Sequence, residues 1–515
     1  MPDINPQKAI DFLTSTIPGW LPLLVVIHFS VLGMVAYLIL LERKVASYAQ
    51  DRLGPNRVGF DFGLPFLAWL KGLYGLGQPL ADGMKFLLKE DYRAKNVDKV
   101  LFTIAPMIMI IVIIISVATV PFGGTKQSHG TVEIPATVNV DDPAAVQMAA
   151  ANAIPIATRL VLEDTKTGEP LPFVPRIKAA ELSASGEVLE PAKTVVDVTY
   201  WWDFQPAKLD IGVLLILAAL SLAVYGVVVG AWASNNKFSF LGGLRATASM
   251  VSYEIPLGIS ILIIVVMFGT LDLSVIVDRQ AWMWGGVIPA WNVFVHPLAF
   301  IMFLICIHAE ANRAPFDLAE CEAELVGGYH TEYSSMRFAM FFLAEYAGMV
   351  TTAAVCAALF FGGWHLPFVD KIWPAFSGGV DPAFPSLTES LLVCIVRAAV
   401  VMGKAVFVLF VFMWVRWSLP RFRFDQLMNL SWRALIPISL LLLLATTLAV
   451  WWWGPEGRAH MRVGGKMALF LLGVNVVTLV VIMFGSKLIP VTDDPNRRIR
   501  VTSSRYANTP LPAGV

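Results

Sequence analysis

Charge is scarce in this chain. Only 15% of its 515 residues are Asp, Glu, Lys or Arg, against about 25% in an ordinary globular protein. The 38 basic and 38 acidic residues cancel, so net charge marks no partner, nucleic acid included. Cysteine is scarce too. Cys306, Cys321, Cys356 and Cys394 are scattered, with no Cys-x-x-Cys pair. That excludes a disulfide framework and leaves no thiolate set for a metal or an iron–sulfur cluster. Runs of His, Cys and acid at metal-ligand spacing are missing. His308 precedes Glu310 and His330 precedes Glu332, but isolated histidines are more often structural than ligands. Nucleotide-binding glycine loops are missing as well, since Gly72, Gly75 and Gly77 follow no strand and have a different spacing. No metal, flavin, nicotinamide, haem or cluster is therefore expected in this chain. The first apolar run has no basic stretch before it and no small-residue cleavage site, so it is expected to be a retained span.

What the chain has in quantity is apolar sequence, at 57% hydrophobic residues. Nine runs are long enough for a bilayer, which needs about 20 residues. They lie near 18–41, 100–122, 211–233, 250–270, 291–309, 338–361, 393–415, 434–453 and 467–486. The runs are continuous and not alternating, so they predict helices. The fourth is interrupted by Glu254, and the fifth is bounded by His296 and His308. The fold class expected is an all-α polytopic membrane protein with about nine transmembrane helices, a cytoplasmic amphipathic helix and an outer-side insertion.

Basic residues in short loops orient the spans. They concentrate in 42–99, in 416–433 (Arg416, Arg421, Arg423, Arg433) and in the tail (Lys487, Arg497, Arg498, Arg500, Arg505). With nine helices these three regions fall on one side, predicted to be cytoplasmic. The divisions expected are 1–122, with two spans and a cytoplasmic segment; 123–208, an outer insertion; 209–453, the transmembrane core with its acidic loop 310–337; and 454–515, a further helix and basic tail. Within 64–90, Leu76, Leu80, Met84 and Leu87 or Leu88 fall at helical spacing among charges, which predicts an amphipathic helix at the cytoplasmic interface. The insertion has β-prone pieces at 131–140 and 193–200. Tyr200, Trp201 and Trp202 read as an interfacial aromatic anchor.

The charges that do occur near spans call for explanation, because an ionised side chain at mid-membrane costs about 2.5–3.5 kcal/mol on insertion scales. Glu254 begins an apolar run, Glu345 lies inside another, and Lys404 is in the middle of the seventh. Glu345 and Lys404 read as a buried structural pair, as end-of-helix side chains that snorkel, or as functional groups. Arg397, nearer a helix end, reads as a snorkelling side chain. The loop 309–333 carries Glu310, Asp317, Glu320, Glu322, Glu324 and Glu332. If 316–325 is helical, Asp317, Glu320 and Glu324 share a face. Their mutual repulsion would then raise some of their pKa values, as a proton relay requires.

Ten pieces, in order, resemble one family. They are Leu41-Glu-Arg-Lys44; Gln50-Asp-Arg-Leu-Gly-Pro-Asn-Arg-Val-Gly59; Gln78-Pro-Leu-Ala-Asp-Gly-Met-Lys85; Ser221-Leu-Ala-Val-Tyr-Gly226; Ser234-Asn-Asn-Lys237; Leu241-Gly-Gly-Leu-Arg245; Ser252-Tyr-Glu-Ile-Pro256; the segment 310–333; Phe341-Phe-Leu-Ala-Glu-Tyr346; and Pro420-Arg-Phe-Arg-Phe-Asp-Gln-Leu-Met428. Together they resemble the H-subunit family of proton-pumping NADH-quinone oxidoreductase, respiratory complex I. The resemblance implies a multi-pass membrane component in the bacterial cytoplasmic (inner) membrane. It has no redox centre of its own and takes quinone as substrate. Its partners would be membrane lipid, the cluster-bearing peripheral-arm subunits and the antiporter-like membrane subunits. It further implies a proton relay of Glu254, Glu310, Asp317, Glu320, Glu322, Glu324, Glu332 and Glu345. Arg43, Arg52, Arg57 and Arg313 would lie at the quinone tunnel or its mouth. The insertion 123–208 and the ninth helix depart from the family pattern. Two other readings stay open: the equivalent subunit of a membrane-bound hydrogenase-type complex, and a stand-alone ion-coupled transporter. The second lacks an inverted repeat or paired broken helices in the sequence.

Overall fold

The computed structural model describes residues 20–60, 71–134, 158–160, 175–178, 181–182, 188–190, 193–284, 287–318, 325–369, 373, 376, 387–388, 390–453 and 463–488. The apolar runs fold as helices, as their continuous hydrophobicity requires. They are α1 (Trp20–Ala49), then a short α2 (Gln78–Leu88), α3 (Lys99–Ala118), α4 (Gly212–Ala233), α5 (Lys237–Phe268), a short α6 (Leu273–Arg279), α7 (Pro297–Glu310), α8 (Ser335–Phe360), α9 (Leu391–Ser418), α10 (Phe424–Trp453) and α11 (Gly465–Leu488). Eight of these are long and apolar enough to cross a membrane. The fifth run differs. It forms a single turn, Asn292–Val295, and then the 14-residue α7. At 1.5 Å per residue α7 is about 21 Å long, short of a bilayer's hydrocarbon thickness. It lies in the middle of the main apolar core, with Cys306, Ile307 and Ala309 buried, so its length is set by its neighbours.

α8 is the hub. It packs on α1, α2, α3, α6, α7 and α9, and almost every residue from Glu345 to Phe360 is buried. α5 packs on α4, α7 and α10, and α11 lies against α10 and α7. Polar caps start several helices. Asp98 accepts from the amides of Val100 and Leu101 at α3, and Asn236 accepts from Phe238 at α5. Each such cap contributes about 1 kcal/mol.

The described part of the polar insertion is a β structure built on a long antiparallel ribbon. β1 (Thr125–Ile134) pairs with β2 (Lys193–Asp203) from Thr125 opposite Asp203 to Ile134 opposite Thr194. Shorter strands Thr158–Leu160 and Pro175–Lys178 add to β2, and Leu387–Thr388 adds to β1. Strand β1 begins six residues before the predicted piece. Tyr200, Trp201 and Trp202 belong to β2, opposite Ser128, Gln127 and Lys126.

The amphipathic helix is shorter than the sequence predicts. Residues 61–70 lie outside the described part. The chain then makes a 3₁₀ turn at Leu73–Gly75 with left-handed backbone at Gly72, Tyr74 and Gly75. A Cβ on Gly75 would collide with the Pro55 carbonyl, so the close approach requires glycine. The helix proper, α2, buries none of its residues and keeps Leu80, Met84, Leu87 and Leu88 exposed, in keeping with an interfacial face.

Candidate functional site

The described part of the acidic loop is not a solvated surface. A second apolar core between α3, α4 and α5 takes in its Tyr329 and Tyr333. Tyr333 stacks on Phe102 with ring centroids 3.9 Å apart, and burying each ring is worth about 1.5–3 kcal/mol. Gly242 of α5 lets the loop approach, since a Cβ there would lie 2.9 Å from the Tyr329 amide nitrogen. The loop is thus anchored by its aromatic residues, and the described charges Glu310 and Arg313 are carried inward.

Those charges meet at one end of the bundle. Glu345, on α8, is 8% exposed, and Arg313, in the loop, is 7% exposed. Their nearest N–O separation is 3.8 Å. The Tyr329 hydroxyl donates to Glu345 at 2.5 Å. The Arg313 guanidinium lies over the Tyr346 ring, 4.2 Å from its centroid. The Tyr346 hydroxyl in turn donates to Glu42 at 2.6 Å, and Glu42 also pairs with Arg416 of α9. These contacts join α1, the loop, α8 and α9 in one buried network. A charge so placed would be expensive alone, and breaking one partner of such a pair typically costs about 3–5 kcal/mol.

Three cavities adjoin the network. The largest, of about 600 Å³, is lined by Glu42, Arg43, Arg52, Asp82, Arg313 and Arg416 together with apolar residues of α1, α2 and α8. A narrow one of about 20 Å³ touches Glu42, Arg313, Tyr346 and Arg416. The third, of about 50 Å³, is lined by both Glu310 and Glu345, room for a water or two between polar partners. One Glu310 oxygen is buried and makes no hydrogen bond among the described residues. Glu310 also feels the repulsion of Glu254, whose carboxylate accepts a hydrogen bond from Ser221 of α4.

Not every predicted residue joins this chain. Asp317 pairs with Arg421 at 3.0 Å. Its carboxyl is nevertheless raised above the usual range, because burial outweighs Arg421 and the other nearby guanidinium groups. His330, wedged against Phe338 and Phe342, has its imidazole pushed below its ordinary value by burial. Glu332 is bonded to Asn236 at 2.7 Å, at the start of α5, and lines none of these cavities. Arg43 pairs with Asp82 at 3.0 Å at the large cavity's rim. Arg52 lines that cavity, whereas Arg57 is exposed and does not. Glu320, Glu322 and Glu324 lie outside the described residues. So does the proposed shared helical face with Asp317.

Lys404 and Glu345 do not form a pair. The Lys404 ammonium donates to the carbonyls of Phe361, Gly363 and His365 instead. Arg397 does not snorkel. It is fully buried and donates to the Phe376 carbonyl. The reason is Phe376, beyond α8, which lies against α9 and whose carbonyl takes the guanidinium.

Sequence reasoning misses Glu42, Tyr329, Tyr346, Arg416 and Arg421 as site residues. Glu42 stands in the Leu41-Glu-Arg-Lys44 piece at the end of an apolar run, a signal of the same kind as Glu345. Arg416 and Arg421 serve there only as markers of sidedness.

Fold and site together define a polytopic membrane protein that buries a network of carboxylates, tyrosines and arginines beside a large cavity at one end of its bundle. A family model described as NADH dehydrogenase matches residues 22–159 and 184–447. A protein of Flavobacterium johnsoniae, named as the H subunit of NADH-quinone oxidoreductase, is 37% identical over 418 residues, which is 81% of this chain and 91% of that protein. One of Leptospira biflexa with the same name is 39% identical over 417 residues, 81% of this chain and 90% of its own length. In Geobacter metallireducens, a protein so named and numbered 2 is 38% identical over 421 residues, 82% and 92% of the two chains. The chain belongs to the H-subunit family of NADH-quinone oxidoreductase. The family match breaks only at 160–183 within the insertion and stops at 447, ahead of α11, so the departure from the family pattern is narrower than the whole of 123–208.

Proposed function

We propose that this chain is a membrane subunit of a proton-pumping NADH-quinone oxidoreductase in the bacterial cytoplasmic membrane. It forms the quinone access chamber and starts the proton path that quinone reduction drives. The observation that carries this reading is the succession of contacts from the 600 Å³ cavity, through Glu42, Tyr346 and Arg313, to Glu345, and by the small cavity to Glu310. The cavity has an apolar lining for an isoprenoid quinone, with Arg43, Arg52 and Arg313 where a polar head would need donors. Cluster-bearing partner subunits supply electrons, and antiporter-like partners receive the coupling. Reduction takes up two electrons and two protons per quinone to give the quinol.

The protein's part is electrostatic. A change of charge in a low-dielectric chamber acts over many ångströms. Arg313 lines the chamber and faces Glu345, so a charge change at the quinone head alters the field at Glu345. Glu254 lies near enough to Glu310 for their charges to repel, so both carboxylates are placed on the same path. Glu320, Glu322, Glu324 and Asp317 would feed this path from the loop, while Glu332 braces the loop on α5. Membership of a family of named subunits favours this reading over a stand-alone transporter.

The test is photolabelling of the assembled complex with a quinone carrying a photoreactive tail. Labelling within 39–52 and 338–346, lost on competition with unlabelled quinone, is expected. Labelling confined to other segments contradicts the chamber assignment.

A further inference from the structure

Toward the insertion, the bundle buries a second set of ionisable groups that the relay does not use. Lys404 lies near the middle of the 28-residue α9. Its ammonium donates to the carbonyls of Phe361, Gly363 and His365 at 2.7, 2.7 and 2.6 Å. Farther along α9, Leu391, Leu392 and Ile395 are exposed and apolar, as side chains facing lipid are. So α8 stops inside the bundle, at membrane depth, and the chain turns back. Gly362 and Gly363 make that turn with φ of +66° and +50°. A Cβ on Gly362 would lie 2.6 Å from the Trp291 indole nitrogen. The same Trp291 ring covers the Lys404 ammonium at 4.7 Å. His365 is paired with Asp278 of α6 at 3.5 Å.

A helix end with free carbonyls, bent back at membrane depth and holding a cation, is how discontinuous helices hold transported ions. Here the cation is an ammonium, which can bind and release a proton. A purely structural cap needs no charge. Gln280 and Asn292 already cap this helix end with neutral amides, donating to Ala358 and Leu359 at 2.9 and 2.6 Å.

We propose that Lys404, His365 and Asp278 form a second protonatable site, through which a proton leaves toward the insertion side. The proposal rests on the proton-pumping reading above. In the step, the Lys404 ammonium becomes an amine and the His365 imidazole becomes an imidazolium, steadied by Asp278. The imidazolium then gives its proton to solvent, and the amine is reloaded from the relay. No electron changes hands.

The experiment is Lys404→Arg in the assembled complex, reconstituted in sealed vesicles, with protons moved per NADH oxidised as the readout. Arginine keeps the charge, N–H donors for the carbonyls and the stacking on Trp291, but does not release its proton. The ratio is expected to fall in Lys404→Arg as much as in Lys404→Met. A wild-type ratio in Lys404→Arg with a lowered one in Lys404→Met would overturn the proposal and leave a structural cap. Should Lys404→Arg fail to assemble, His365→Gln carries the same test, with a lowered ratio expected and an unchanged one overturning it. A wild-type complex that moves no protons defeats the functional reading itself. A pumping wild type with unchanged variants defeats only this proposal.

Discussion

At the basic end of the bundle, Arg313 meets Glu345 and Arg416 meets Glu42, side chain to side chain, with tyrosine hydroxyls closing the network. Toward the insertion, Lys404 and Arg397 rest on backbone carbonyls of the segment after α8. The first arrangement borders cavities and depends on mutual charge. The second sits at a helix end, where the carbonyl dipoles already favour a cation. The same cost of burying charge is therefore met by opposite partners at the two ends. Substitutions should separate them.

The largest effect is expected from Arg313→Ala. It leaves Glu345 buried without its guanidinium, a loss of about 3–5 kcal/mol. Little assembled complex and little quinone reductase activity should survive, as membrane yield and NADH-driven quinone reduction would show. A well-assembled, active variant would place the cluster's stability elsewhere. At the other end, Gln280→Ala removes the amide that caps Ala358 and that accepts from Gly362. About 1–3 kcal/mol is expected there, seen as a lower melting midpoint in detergent with activity kept at low temperature. Equal damage to activity from both variants would erase the contrast between the ends.

Arg421→Ala should act through pH alone. Burial already raises the Asp317 carboxyl above its usual value, and Arg421 opposes that rise. With a raised folded pKa, the stability contribution is present at low pH and is lost as pH rises through that pKa. Removing Arg421 raises the pKa further, so Asp317 stays protonated to higher pH. The acid limb of the pH–rate profile should move to higher pH. An unmoved limb would show that the ionisation of Asp317 is not used.

The spans are readable because twenty-residue apolar runs have one structural answer in lipid. The fifth is readable as a helix but not as a short one, since its length depends on what surrounds it. In the loop, the acids announce a site, and Glu310 and Glu345 do lie at one small cavity. Their partners are not readable. Nothing in a single sequence says that the end of α1 meets the end of α9, so Glu42 and Arg416 stay apart until the fold joins them. Glu332 groups with the relay by nearness in sequence, yet Asn236, far away in the chain, takes it. Arg397 reads as snorkelling because the run it belongs to ends nearby. The contact with Phe376, beyond α8, buries it instead.

The most direct measurement is proton translocation per electron in the assembled Glu345→Gln complex in sealed vesicles. The amide keeps the shape and can still accept from Tyr329, but it cannot carry the charge that faces Arg313. The account predicts that quinone reduction and proton movement both fall, with proton movement falling further. Wild-type values of both would contradict the claim that Glu345 passes the charge change of the quinone chamber into the bundle.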